Sequence, residues 1–127
     1  MTKIKLCGLS RAEDIEVANE ILPEFVGFVF YEKSKRYITP EKAAALKNLL
    51  DKKISAVGVF VNEKIETVSE IAKFLDLIQL HGTEDENYIS TLRNYTDKKI
   101  IQAFKIKTAD DLQPAKNSRA DFIFSPH

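Results

Sequence analysis

The sequence predicts an α/β domain built on a parallel sheet, and two patterns carry the prediction. Short runs rich in Val, Ile and Phe recur at residues 4–7, 25–30, 56–61, 77–80, 100–105 and 122–125. Most are apolar on both alternating faces, as strands covered on both sides must be. Segments of helical period separate them, giving one strand plus one helix every 21–30 residues or so, about five times over, with a sixth strand at the end. Strict alternation of this kind means parallel strands joined by right-handed crossovers. No linker, low-complexity tract or break in composition divides the chain, so residues 1–127 are expected to form a single domain.

The first strand ends Lys5-Leu6-Cys7-Gly8. Ser10 is a candidate N-cap for a helix whose stripe is Ala12, Ile15, Ala18 and Leu22. The second strand, Gly27-Phe28-Val29-Phe30, runs into a loop from Tyr31 to Tyr37 that reads Ser34-Lys35-Arg36-Tyr37. Pro40 behind Thr39 opens the next helix, with Ala43, Ala44, Leu46, Leu49 and Leu50 following. Proline in a first helical turn loses no needed N–H. The third strand is Val57-Gly58-Val59-Phe60-Val61-Asn62, with Asn62 as candidate cap for the clearest stripe, Ile65, Val68, Ile71, Ala72 and Leu75. The fourth strand ends Gln79-Leu80-His81-Gly82, and Tyr88, Ile89 and Leu92 mark the fourth helix. A weaker fifth helix carries Ala109, Leu112 and Ala115, shortened or kinked by Pro114. Phe28, Phe30, Phe60 and Tyr31 are expected mainly in the core, with Phe28 also a candidate for the functional site. Gly8, Gly27, Gly58 and Gly82 are expected where backbones pack closely.

Composition narrows the function classes. Apolar residues make up 44% and charged residues 30%, the mix of a soluble globular domain. Nineteen Lys plus Arg balance nineteen Asp plus Glu, so no net field draws nucleic acid or an anionic membrane. The longest apolar run, residues 25–31, is far below the roughly 18 residues of a membrane helix. The opening Met-Thr-Lys-Ile-Lys-Leu-Cys has no signal-peptide core. One Cys rules out an intrachain disulfide and fits a reducing compartment, and with two His it cannot build the usual four-ligand zinc site. A cytoplasmic protein with neither metal nor cofactor is the expectation.

Two architectures fit alternating β and α. A doubly wound sheet of receiver or flavodoxin type needs about this length, whereas an eight-strand barrel needs about 200–250 residues. In both, ligands meet the carboxyl ends of the strands. A receiver domain would place acidic residues after strand one and an Asp at the end of strand three, where this chain has Cys7 and Asn62.

Four segments at those strand ends, KxCG, GFVFYxKSxRY, VGVFVN and QLHG, together resemble phosphoribosylanthranilate isomerase, a tryptophan-biosynthesis enzyme on a (β/α)8 TIM barrel. Each segment alone is weak evidence. Four in register across the chain are specific. The resemblance implies an Amadori rearrangement of N-(5-phosphoribosyl)anthranilate to 1-(2-carboxyphenylamino)-1-deoxyribulose 5-phosphate. It implies that Cys7 is the general base and that Arg36 meets the aromatic carboxylate, with His81, Gln79, Asn62 and Phe28 lining the same mouth. The residue types suit these roles. Cations and helix N-termini favour a thiolate able to take a carbon-bound proton. A guanidinium matches a planar carboxylate in two parallel hydrogen bonds. Taken singly, the same residues have ordinary readings: a small apolar Cys, a solvated Arg, a structural His and an Asn helix cap.

The chain departs from the family at its sixth strand. The family ends that strand with an Asp that acts as general acid, whereas Asp121-Phe122-Ile123-Phe124-Ser125-Pro126-His127 puts Ser125 at the matching place, or Pro126, which has no proton to give, if the register is shifted by one. A hydroxyl does not supply that proton near neutrality. The loops after strands seven and eight, which hold a substrate phosphate in such barrels, have no counterpart here. The chain therefore reads as five βα units and a sixth strand, the N-terminal part of a barrel, truncated at its C-terminus. Three functions remain: an isomerase impaired by truncation, a non-catalytic fragment that binds aromatic carboxylates, and a receiver- or flavodoxin-like module. Open sheet edges predict self-association.

Overall fold

A computed structural model describes residues 5–103 and 122–124. Strand β1 (Lys5–Cys7), helix α1 (Ala12–Ile21), β2 (Phe25–Val29), α2 (Pro40–Leu49), β3 (Ser55–Phe60), α3 (Ile65–Ala72), β4 (Leu77–Leu80), α4 (Glu86–Leu92), β5 (Lys99–Ala103) and β6 (Phe122–Phe124) follow in chain order. The fifth helix predicted around Ala109, Leu112 and Ala115 lies outside the described residues, as does Ser125.

All pairings are parallel and the sheet runs β1-β2-β3-β4-β5-β6, each strand beside the next in sequence. A doubly wound sheet must reverse its strand order at a switch point. None occurs among the described strands, so the receiver and flavodoxin alternatives are set aside. Unbroken sequential order is how a (β/α)8 barrel winds.

Register divides the sheet into two faces with a period of two residues. Phe28, Gly58, Ile78 and Ile100 share one row, and Val29, Val59, Gln79 and Ile101 share the next. The first face meets the helices. Phe28, Phe60, Ile78, Leu80 and Ile100 are buried there against Ile15 and Ala18 of α1, Ala43 and Leu46 of α2, Val68 and Ile71 of α3, and Ile89 and Leu92 of α4. Phe30 stacks on Phe60 with centroids 5.3 Å apart and meets the edge of Phe74 at 6.4 Å. Val29, Val57 and Val59 are buried on the other face, outside that cluster.

Helix starts follow local chemistry, with two corrections. Thr39 Oγ1 accepts from the Lys42 amide at 3.3 Å ahead of Pro40, as expected. The residue capping α1 is Arg11 rather than Ser10. Asp14 does the work from inside the first turn, its carboxylate accepting the amides of Ser10 and Arg11 and the Arg11 guanidinium, each at 3.1 Å. Those bonds, first the one from Ser10, hold the Asp14 carboxyl below its ordinary pKa. Helix α3 starts after Lys64 with no side-chain cap, so Asn62 is not its N-cap. Leu22 leaves its predicted stripe. It closes α1 in the left-handed region at φ 53° and stays exposed.

Candidate functional site

Parallel strands bring their carboxyl ends to one rim of the sheet, and a cleft of about 580 Å³ opens there. Its lining is Cys7, Val29, Tyr31, Ser34, Lys35, Arg36, Val59, Val61, Gln79 and His81. Val29, Val59 and Gln79 belong to one row of the face turned away from the helices. Four residues predicted from the sequence, Cys7, Arg36, Gln79 and His81, therefore meet in one place, drawn from the ends of β1, β2 and β4.

At the β1 end, the Cys7 side chain is exposed and Gly8 turns the chain with φ +83°. The Gly8 amide returns to the Gly27 carbonyl at 2.9 Å. That turn leaves room for Arg36, whose Cδ lies 2.2 Å from where a Cβ on Gly8 would sit. Only glycine combines this backbone with so close a neighbour. The β2–α2 loop is pinned at both ends of Arg36. Ser34 Oγ accepts the Arg36 amide at 3.1 Å, and the Ile38 amide donates to the Val29 carbonyl at 3.0 Å. Arg36 Nη1 reaches the Cys7 carbonyl at 3.5 Å, so the guanidinium lies across the end of β1, and both residues line the cleft. A free thiol and a planar cation on one cleft have the chemistry to serve as a base and as an anchor for a carboxylate.

At the β4 end, Gln79 is buried and its Nε2 lies 3.5 Å from Nδ1 of the exposed His81. The His81 amide donates to the Phe60 carbonyl at 2.9 Å, extending the sheet by one bond and carrying the imidazole to the rim.

Asn62 and Phe28 are not brought into the cleft. Asn62 adopts φ 49° and folds over the next loop, its Oδ1 accepting from the amide and hydroxyl of Thr83 at 3.0 and 3.2 Å. Phe28 lies on the helix-facing row and is fully buried. The alternation of β2 sends Val29, not Phe28, into the cleft. Ser125 lies outside the described residues.

The sequence reading missed Glu84 altogether. Its buried carboxylate accepts the Asn62 amide at 2.7 Å and the Gly82 amide at 2.9 Å. An acidic residue just ahead of a helix reads as a favourable end charge, so nothing in the sequence marks it as buried. Tyr31, Ser34 and Lys35 also line the cleft without having been singled out as site residues. Nearby, the Tyr88 hydroxyl donates to the Glu63 carbonyl at 2.5 Å. Burial, then the charges of Glu84, Glu63 and Glu66, raise its pKa above the ordinary value, which keeps it a donor.

A second hollow of about 760 Å³, between the ends of α3 and α4 and the start of β5, lies away from the strands' carboxyl ends. Lys73 on its wall is paired with Glu70 at 3.0 Å. Among the described residues, no group of three or more His, Cys, Asp or Glu is placed to hold a metal ion. Among the same residues, no helix is long and apolar enough to cross a membrane.

Residues 4–124 match the family model of N-(5'phosphoribosyl)anthranilate (PRA) isomerase. The N-(5'-phosphoribosyl)anthranilate isomerase of Thermoanaerobacter sp. (strain X514) is 48% identical over 127 residues, covering 98% of this chain and 61% of the relative. That of Clostridium acetobutylicum is 46% identical over 123 residues, covering 95% of this chain and 58% of the relative. The crystal structure of phosphoribosyl anthranilate isomerase from Thermotoga maritima superposes with a TM-score of 0.89 at 34% identity, over 100% of this chain and 63% of that one. A phosphoribosyl anthranilate isomerase in complex with reduced 1-(o-carboxyphenylamino)-1-deoxyribulose 5-phosphate gives 0.90 at 36% identity, over 98% and 64%. This chain thus spans about three-fifths of the length of these proteins.

Proposed function

The chain belongs to the N-(5'-phosphoribosyl)anthranilate isomerase family, with the fold of the N-terminal part of a (β/α)8 barrel, and on that premise we propose that its cleft receives the anthranilate side of N-(5-phosphoribosyl)anthranilate. One observation carries the reading: Cys7, with its exposed thiol, and Arg36, whose guanidinium reaches the Cys7 carbonyl, line the same cleft as Gln79 and His81. Residues 1–127 act as one domain in this reading, and the single Cys fits a cytoplasmic setting.

The rearrangement divides naturally between these groups. Opening of the ribose ring leaves a C1–N imine with an acidic proton on C2. Cys7, as thiolate, takes that proton; the C–H electron pair forms the C1–C2 double bond, and the imine pair moves onto nitrogen. The resulting enol becomes the C2 ketone when C1 gains a proton, giving the 1-deoxyribulose product with no net change in composition. Arg36 fixes the anthranilate carboxylate so that C2 stays within reach of sulfur, since orientation of this kind lowers the barrier to proton transfer. Gln79 and His81 line the same cleft. Ring opening needs a general acid on the ring oxygen, the task of the family's Asp at the end of strand six. Ser125 at that place does not supply it near neutrality. The reading therefore assigns carboxylate binding and proton abstraction to this chain, with turnover by the chain alone impaired.

A titration with reduced 1-(o-carboxyphenylamino)-1-deoxyribulose 5-phosphate tests the assignment. Arg36→Ala should weaken binding by about 1.5–3 kcal/mol, the range for hydrogen bonds to charged groups. Equal affinity in the variant and the parent would return Arg36 to a solvated charge. Binding without any conversion of substrate would favour the second reading, a non-catalytic aromatic-carboxylate binder. Among the described residues β1 pairs only with β2, and β6 only with β5. The 127-residue chain is therefore proposed to self-associate through those edges. Sedimentation at micromolar concentration should show dimers or larger species, and a monomer throughout would contradict this.

A further inference from the structure

Removing a carboxylate from water is unfavourable unless both of its oxygens gain hydrogen bonds. Glu84 is 6% exposed, and each of its oxygens accepts one backbone amide from a different loop. Oε2 takes the Asn62 amide, at the end of β3, and Oε1 takes the Gly82 amide, just after β4. The backbone carbonyl of Glu84 accepts from Gln102 Nε2 on β5 at 2.8 Å. Three successive strand ends are thus tied to this residue.

The clamp closes on itself. Asn62 sits in the left-handed region at φ 49°, a conformation that asparagine tolerates better than most residues. Its amide is held by Glu84 while its side chain accepts from Thr83. The Asn62 side chain also fills the space beside Gly82, its Oδ1 lying 2.8 Å from where a Cβ would be. Residues 82–84 are therefore fixed against β3 on one side and β5 on the other. His81 lies between this clamp and β4. Its own amide is bonded to Phe60, and the next residue is bonded to Glu84.

We infer that Glu84 is a positioning residue for His81: by clamping Gly82 to the ends of β3 and β5, it fixes the direction in which the imidazole enters the cleft. Glu84 lies behind the loop and is not itself part of the cleft lining. The inference rests on the proposed substrate site. Glu84→Gln is the informative variant, because an amide offers one acceptor oxygen and one donor nitrogen. One of the two backbone amides would then face a donor.

The test is a double-mutant cycle read by binding of reduced 1-(o-carboxyphenylamino)-1-deoxyribulose 5-phosphate to the 127-residue chain. Glu84→Gln should weaken binding about tenfold in the parent, the scale of one charge-assisted hydrogen bond. In a His81→Ala background the same change should cost less than about twofold, because the group it positions is gone. The His81 ring resonances should move in Glu84→Gln while those of Tyr95, distant on the second hollow, stay in place. An equal fold-loss in both backgrounds, or no loss in either, overturns the inference while leaving the site intact. No weakening by His81→Ala or Arg36→Ala alone would overturn the site and the inference together. Should Glu84→Gln not fold, Asn62→Gly takes its place in the cycle with the same outcomes. It keeps the left-handed backbone and removes the bonds to Thr83.

Discussion

The two faces of this sheet are made from neighbouring residues and do different work. Phe28, Ile78 and Ile100 point to the helices and are fully buried, while Val29 and Gln79, one position along, line the cleft with Cys7 and His81. Stability is concentrated on the first face, in a continuous apolar cluster shared by four helices. The second face buries Val29, Val57 and Val59 and brings Gln79 and His81 to the cleft. A change in one face should therefore register in folding and a change in the other in chemistry, even where the two residues are adjacent in sequence.

The largest effect is expected on the helix face. Phe60 is fully buried and stacked on Phe30. Phe60→Ala should cost about 3–5 kcal/mol of stability in urea denaturation, the range for large-to-small aromatic changes. A loss below about 1 kcal/mol would mean that this face does not carry the fold. Cys7→Ser is the counterpart at the rim. With the chain extended by the remaining two-fifths of a relative's sequence and an Asp placed at the end of strand six, kcat should fall by about a hundredfold or more, the scale of lost general-base catalysis. The denaturation midpoint should not move. Near-full turnover would remove Cys7 as the base, and a large drop in stability would erase the contrast between the faces.

A charge that belongs to neither face should matter least. Asp14 is held below its ordinary pKa of 3.8 by the Ser10 amide first and then by Arg11. A depressed folded value means that its contribution is complete above the unfolded pKa and is lost as pH falls through the folded one. Its partner Arg11 is exposed, so the contribution should stay within about 1 kcal/mol. Comparing Asp14→Asn with the parent, the stability gap should be open at pH 6 or so and narrow as pH falls below the ordinary carboxyl value of 3.8. A gap that persists at low pH would mean that the side chain acts through packing rather than charge.

The alternation of the sheet was legible because covered strands are apolar on both faces and helices between them keep a 3.6-residue period. Length alone favoured an open doubly wound sheet, but the residues at the strand ends and the resemblance they carry pointed to a barrel, and the pairing of each strand with its sequence neighbour agrees. At the site, Cys7, Arg36, Gln79 and His81 were legible from their motifs and do converge. Phe28 was misplaced because a strand apolar on both faces does not announce which parity faces the helices. Asn62 was read as a helix cap as well as a site residue, and Glu84 was not singled out, since a polar side chain ahead of a helix has the same sequence signature whether it caps that helix or ties two loops together. Only the tertiary approach of the β3 and β4 loops separates those roles.

The central claim is that Cys7 and Arg36 share one substrate site. Because the chain contains a single cysteine, alkylation by iodoacetamide followed by intact-mass measurement reads Cys7 alone. Saturating reduced 1-(o-carboxyphenylamino)-1-deoxyribulose 5-phosphate should slow alkylation of Cys7 in the parent chain by about tenfold or more, with the protection lost in Arg36→Ala at the same concentration. An alkylation rate unchanged by bound ligand would contradict the account, because the thiol would then lie outside the site that Arg36 serves.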